Sequence, residues 1–234
     1  MLNRAYGCLI GSAIGDAMGM PASFMSPGKI KRVYGRIEGF LPPAKEQVAH
    51  AKLEKGEFTD DTFESIIMAQ VLIEKHKFDL PTFIEHMREW ALYNKMLEST
   101  VIGPSTRRFL EAIVNNEDYM QASQLGDTNG GAMRVAPVGI FYHGKLEEAI
   151  QTGIDSALPS HGSRVGLSST AAIAAAISLA IEGKYSPSEI MEAAIKGAEV
   201  GEHVGFDIPG PSVAVRIRLV KQLVEQNNAK PLEE

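Results

Sequence analysis

"SHGSRVGLSSTAAIAAAISLAIEG", residues 160 to 183, decides what kind of protein this chain is. Alanine and other good helix formers fill it, and Gly183 supplies the residue that commonly closes a helix. Between Arg164 and Glu182 the stretch carries no charge on any side. A helix that is apolar all round lies inside a membrane or inside other helices. This one falls short of the ~20 apolar residues that a membrane span needs. It is therefore expected to be the central helix of a bundle. His161 stands at its mouth, with Ser160 or Ser163 as the candidate cap.

The segments on either side have the same helical spacing, and period-2 strand patterns are scarce. "SPSEIMEAAIKGAEVG" reads as a helix capped by Ser186, with Pro187 at the first position and Gly201 past the end. "GPSVAVRIRLVKQLVEQ" follows as the last, and "KLEEAIQTGIDSAL" precedes the central helix as an amphipathic one. Earlier come a small-residue helix over 3–19, a short helix near 27–35, and a helix of about five turns after Thr62. The last is expected to bury Ile66, Ile67, Ala69, Val71, Leu72 and Ile73. Two more follow, one from Pro81 to about Tyr93 and one in "GPSTRRFLEAIVNN". Residues 20–58, rich in proline and glycine, form a long irregular loop of the kind that usually carries function. The fold class is all-α, one domain over residues 1–234 with roughly eight to ten helices.

Composition narrows the function. The net charge of −6, with no Lys/Arg block, argues against extended nucleic acid as a partner. One cysteine, Cys8, excludes an internal disulfide and reads as a buried, inert thiol of a reducing compartment. The N-terminal apolar run is broken by Gly11, Gly15 and Asp16, so neither a signal peptide nor a membrane span is expected. A cytoplasmic location follows from these readings.

Three places carry candidate chemistry. "GEFTDDT" puts Asp60 and Asp61 between two threonines at a helix start. They serve there as caps, Asp61 having capping-box spacing to Glu64, or with Thr59 as oxygen ligands of a hard cation. "LGDTNGGAMRVAP" is either a plain turn or a loop whose Gly130 and Gly131 let backbone N–H groups approach a phosphate. Asp16, inside a small-residue helix, needs a donor or a polar cavity, because an unpaired buried carboxylate is costly.

Taken together, "GCLIGSAIGDAMGMPASF", "GEFTDDT", "TNGGAMRVAPVGIF" and "SHGS", in this order, resemble the ADP-ribosylglycohydrolase family from about Tyr6 to about Arg218. The resemblance implies an all-α bundle with a two-ion magnesium site, manganese being the alternative. It implies Thr59, Asp60 and Asp61 as metal ligands, with Asp60 and Asp61 acting through metal-held water. It further implies that Gly126, Asp127, Asn129, Gly130 and Gly131 wrap the pyrophosphate and ribose of an ADP-ribose-containing substrate, with His161 nearby. The reaction implied is hydrolysis of the glycosidic bond at C1″, and catalytically impaired binding of ADP-ribose is the alternative. Two departures stand out. Ser23 occupies the place where active members carry a glutamate, leaving the general base unidentified. No Asp-x-Asp follows Asp61, although the family completes its metal site from a C-terminal motif. The domain is thus expected to be incomplete at its C-terminal end, the half-site being truncated, supplied in trans or lost. A complementing chain or a homo-oligomer is the expected partner.

Overall fold

A computed structural model describes residues 1–226. Among them twelve α-helices and two 3-10 turns form the architecture, and the lone β-bridge joins Ser163 to Phe206. In chain order the helices are α1 (Leu2–Gly19), α2 (Pro27–Tyr34), α3 (Asp60–Lys75), α4 (Leu80–Tyr93), α5 (Pro104–Asn115) and α6 (Tyr119–Gln124). They continue as α7 (Gly130–Met133), α8 (Ala136–Phe141), α9 (Leu146–Ala157), α10 (Arg164–Ala180), α11 (Pro187–Val204) and α12 (Val213–Gln226). The all-α expectation holds, with more helices than the spacing suggested. The extra ones, α6, α7 and α8, are too short to show a periodic pattern.

Helix α10 is central, packed against α7, α8, α9, α11 and α12. Its small side chains let its neighbours approach closely, and those neighbours meet it with glycine. A β-carbon on Gly197 or Gly201 of α11 would run into the carbonyls of Ala171 and Leu167, and one on Gly139 of α8 into Ile177 at 2.7 Å. This corrects the reading of Gly201 as a stop: α11 runs through it to Val204, because the glycine serves packing. Ser186 does cap α11, in a full capping box with Glu189. Ser163 rather than Ser160 caps α10, accepting from Gly166 N–H at 3.1 Å.

A second core joins α3, α4 and α5 through Met68, Val71, Leu72, Phe83, Met87, Phe109 and Ile113. Ile66 and Ile73, expected inside, are exposed. They lie seven residues apart, on the face of α3 opposite the buried strip, so the apolar stripe is narrower than the sequence suggested. Exposed apolar side chains also line α1 (Leu2, Tyr6, Ile10, Ile14) and α12 (Val215, Leu219, Val220, Leu223). No described helix is long and apolar enough to cross a membrane.

Candidate functional site

The start of α3 is tied to the end of α1 by a single carboxylate. Asp16 Oδ1 accepts from the Thr59 hydroxyl at 2.8 Å. Its Oδ2 accepts from the Thr62 hydroxyl at 2.6 Å and from the backbone N–H groups of Thr59 and Thr62 at 2.9 and 3.2 Å. Asp16 therefore has the donors that its position demanded, four of them, and both its oxygens are occupied. Thr59 is the N-cap of α3, its hydroxyl accepting from Asp61 N–H at 3.3 Å. The Asp61–Glu64 capping box does not form, because Glu64 turns inward to Arg134.

Asp60 and Asp61 consequently face the cleft without a cationic side chain bonded to either. Burial, reinforced by Glu64, Asp61 and Asp16, pushes the Asp60 carboxyl up to about 8. Burial and Asp16 push Asp61 up to about 6. Two carboxylates that resist ionisation side by side, at the positive end of a helix, fit a hard divalent cation. With the Thr59 hydroxyl they would supply one side of the coordination shell of such an ion. Among the described residues no group of three His, Cys, Asp or Glu side chains converges as a metal site. The rest of such a shell must come from water, ligand or another segment.

The same cleft, about 840 Å³ in volume, is lined by Thr128, Asn129 and Gly130. Their loop rests on a buried polar chain. Glu64 Oε2 accepts from Arg134 Nη1 at 2.6 Å, and Arg134 Nη2 donates to the Ser160 hydroxyl at 2.7 Å. The Ser160 hydroxyl also pairs with His161 Nδ1 at 2.8 Å. His161 Nε2 in turn pairs with the Thr128 hydroxyl at 3.0 Å, so both ring nitrogens are occupied. Burial, with Arg134 and Arg108 close by, holds His161 well below the ordinary imidazole range, so it stays neutral. His161 is a buried strut beneath the loop rather than part of the cleft wall. The sequence by itself gives Glu64 only a capping role and Arg134 none; a lone arginine inside "AMRVAPVGIF" is the available signal.

The glycines of the loop serve this packing. A β-carbon on Gly126 would collide with the backbone of Ser160 and His161, and one on Gly131 with the Thr170 hydroxyl. Neither lines the cleft, and Asp127 is exposed outside it. Gly130 does both jobs, lining the cleft while a β-carbon there would sit 2.5 Å from the His161 ring. Gly130→Ala is expected to cost about 1–3 kcal/mol by forcing the loop off its strut. Chemical denaturation should show that loss, and an unchanged midpoint would refute the packing role. Cys8 also lines the cleft, half-buried rather than fully inside, and burial raises its thiol so that it stays protonated.

Fold and site together define an all-α protein whose acidic helix start and glycine loop line one cleft. The whole chain, residues 1–234, matches the model of the ADP-ribosylglycohydrolase family, and the protein belongs to that family. It is 32% identical to the uncharacterized protein YegU of Escherichia coli (strain K12), over 94% of this chain and 66% of that one. It is 28% identical to the ADP-ribosylarginine hydrolase Tri1 of Pseudomonas putida (strain GB-1), over 78% of this chain and 48% of that one. The chain thus spans two thirds or less of the length of these curated relatives. A solved structure described as an ADP-ribosylglycohydrolase-related protein complex superposes with a TM-score of 0.65 at 23% identity. It covers 97% of this chain and 76% of that one, a likeness of fold.

Proposed function

We propose that this chain supplies the ADP-ribose cleft of a glycohydrolase that cleaves the glycosidic bond at C1″ with the help of magnesium or manganese. The observation that carries the reading is that Thr59, Asp60 and Asp61 line one cleft together with Thr128, Asn129 and Gly130. In this reading Thr59, Asp60 and Asp61 hold the ion, Asp16 fixes their helix start, and Asp60 and Asp61 ionise as the ion binds. The ion supplies positive charge against the ribose hydroxyls and the attacking water. Asn129 and the backbone of Gly130 bind the pyrophosphate at the start of α7. Arg134, Ser160 and His161 keep that loop at a fixed distance from the carboxylates. The family membership supports the reaction class, while the metal and the substrate belong to the proposal.

A second reading, binding of ADP-ribose without turnover, is favoured by one observation. Ser23 lines the cleft where a carboxylate would serve as base, and a serine hydroxyl is no base at neutral pH. Calorimetric titration with Mg²⁺ and then ADP-ribose tests the first step of both. Binding of each, with Mg²⁺ binding lost in Asp60→Asn, is the expected result. Failure of the wild-type chain to bind ADP-ribose with Mg²⁺ present would sink both readings. Product release from an ADP-ribosylated substrate then separates them.

A further inference from the structure

The wall of the cleft formed by Ser23, Phe24 and His50 has no task in the reading above, yet it is built with care. Gln47, buried in the loop, donates through Nε2 to the carbonyls of Met20, Pro21 and Ser23 at 3.1–3.2 Å. Its Oε1 accepts from the N–H groups of Ala49 and His50 at 2.9 and 3.3 Å. One side chain thus clamps the Phe24 turn to the His50 segment. Ala22 to Met25 form a type II turn: Met25 N–H donates to Ala22 O at 3.0 Å, with Ser23 at φ −51°, ψ 137° and Phe24 at φ +62°. That second central position favours glycine, and a phenylalanine there is strained. The strain brings no burial in return, since Phe24 is 83% exposed.

His50 is the converse case. It is 4% exposed, lines the cleft, and lies 6.2 Å from the Phe24 ring centre. Its Nδ1 is wholly buried and has no hydrogen-bond partner among the described residues. A buried imidazole left unpaired is costly unless something else completes it. The wall carries no free charge to go with these rings. Both oxygens of Asp16, the nearby carboxylate, are occupied by Thr59 and Thr62.

We propose that Phe24 and His50 form the subsite for the group attached to ADP-ribose, and that it takes an uncharged, planar group. Phe24 stacks on that group and the His50 imidazole hydrogen-bonds to its polar edge. The assignment rests on the cleft reading above, which gives the Asp60–Asp61 edge to the ribose and the 128–130 loop to the pyrophosphate. This third wall is what remains for the attached group. Burial holds His50 below the ordinary imidazole range, against the pull of Asp16, so its ring is neutral at pH 7. A cationic guanidinium attached to the ribose finds no unpaired carboxylate on this wall.

The test uses hydrolysis-resistant C-glycoside analogues of ADP-ribose carrying either a phenyl-carboxamide or an alkylguanidinium group at C1″. Binding to the full chain with Mg²⁺ is measured beside ADP-ribose itself. The carboxamide analogue is expected to bind about tenfold more tightly than ADP-ribose, the scale of one stacked ring. Phe24→Ala and His50→Ala should each remove most of that gain and leave the affinity for ADP-ribose as it was. Phe24→Gly should do the same without lowering the melting temperature, because glycine relieves the turn. A guanidinium analogue that binds more tightly than the carboxamide would overturn the proposal. So would a Phe24→Ala chain that weakens both analogues and ADP-ribose equally. Wild-type chain that binds no ADP-ribose would instead bring down the functional reading, and this subsite with it.

Discussion

Replacing Asp60 by Asn is expected to stabilise the metal-free chain at pH 8 while abolishing Mg²⁺ binding. Asp60 is only 5% exposed, and its carboxyl is pushed up to about 8 by burial first and then by Glu64, Asp61 and Asp16. The folded chain therefore holds that proton more tightly than the unfolded one, whose aspartates titrate near 3.9. Stability from this source is fully present below the unfolded pKa and is lost as pH rises through the folded value. The metal-free chain should lose stability between about pH 4 and pH 8, with Asp61, raised to about 6, adding to the lower part of the window. Asn at position 60 cannot ionise, so its curve should be flatter. At pH 8 ionising the wild-type carboxyl costs about 5 kcal/mol; a buried Asn amide gives back about 1–3 of this, so the net gain is about 2–4 kcal/mol, or ~4–16 °C in melting temperature for a chain of this size. Saturating Mg²⁺ should reverse the ranking, because only the wild-type chain gains from the ion. A metal-free wild-type chain whose melting temperature is flat from pH 5 to 8 would contradict the burial of charge at this helix start.

Arg134→Met is expected to be the most damaging single substitution. The guanidinium is fully buried, bonded to Glu64, to the Ser156 carbonyl at 3.1 Å and to Ser160, with its carbon 5.2 Å from the centre of the Phe83 ring. Removing it leaves the buried Glu64 carboxyl without its partner, whether ionised or protonated, at a cost of about 3–5 kcal/mol. It also removes the group that holds Ser160 and, through it, His161 and Thr128. The double variant Glu64→Leu/Arg134→Met discriminates between these effects. It should recover most of the stability, since two apolar side chains of similar size replace the buried pair, yet ADP-ribose affinity should stay low because the loop has lost its strut. Full recovery of binding in the double variant would mean that the ion pair matters to the fold and not to the cleft. Denaturation midpoints and calorimetry on the same three chains decide it.

Much of this was legible in the residues. The charge-free stretch before Glu182 set the central helix, and the helices that begin at Pro187, Leu80 and Pro104 followed from caps, prolines and spacing. Such signals are local: a helix answers to residues three and four positions away. The same locality explains the errors. "TDDTFE" has the spacing of a capping box, but Glu64 has a stronger partner 70 residues away in Arg134. Gly201 looks like a stop until Leu167 of α10 is seen behind it. Cys8 looks buried in a run of small residues, yet its face of α1 opens on the cleft.

By itself the sequence determined an all-helical chain, its central helix, its family resemblance and the motifs that Asp60, Asp61 and Asn129 belong to. Only the tertiary structure decided how those motifs are used. It placed Asp16 under the start of α3, 43 residues along the chain. It put His161 beneath its loop instead of in the cleft, and turned Phe24 and His50 towards one wall. The physical reason is that hydrogen bonds within a helix are set by neighbours in sequence. A buried carboxylate, imidazole or guanidinium is satisfied by whatever group the packing of separate helices brings within ~3 Å.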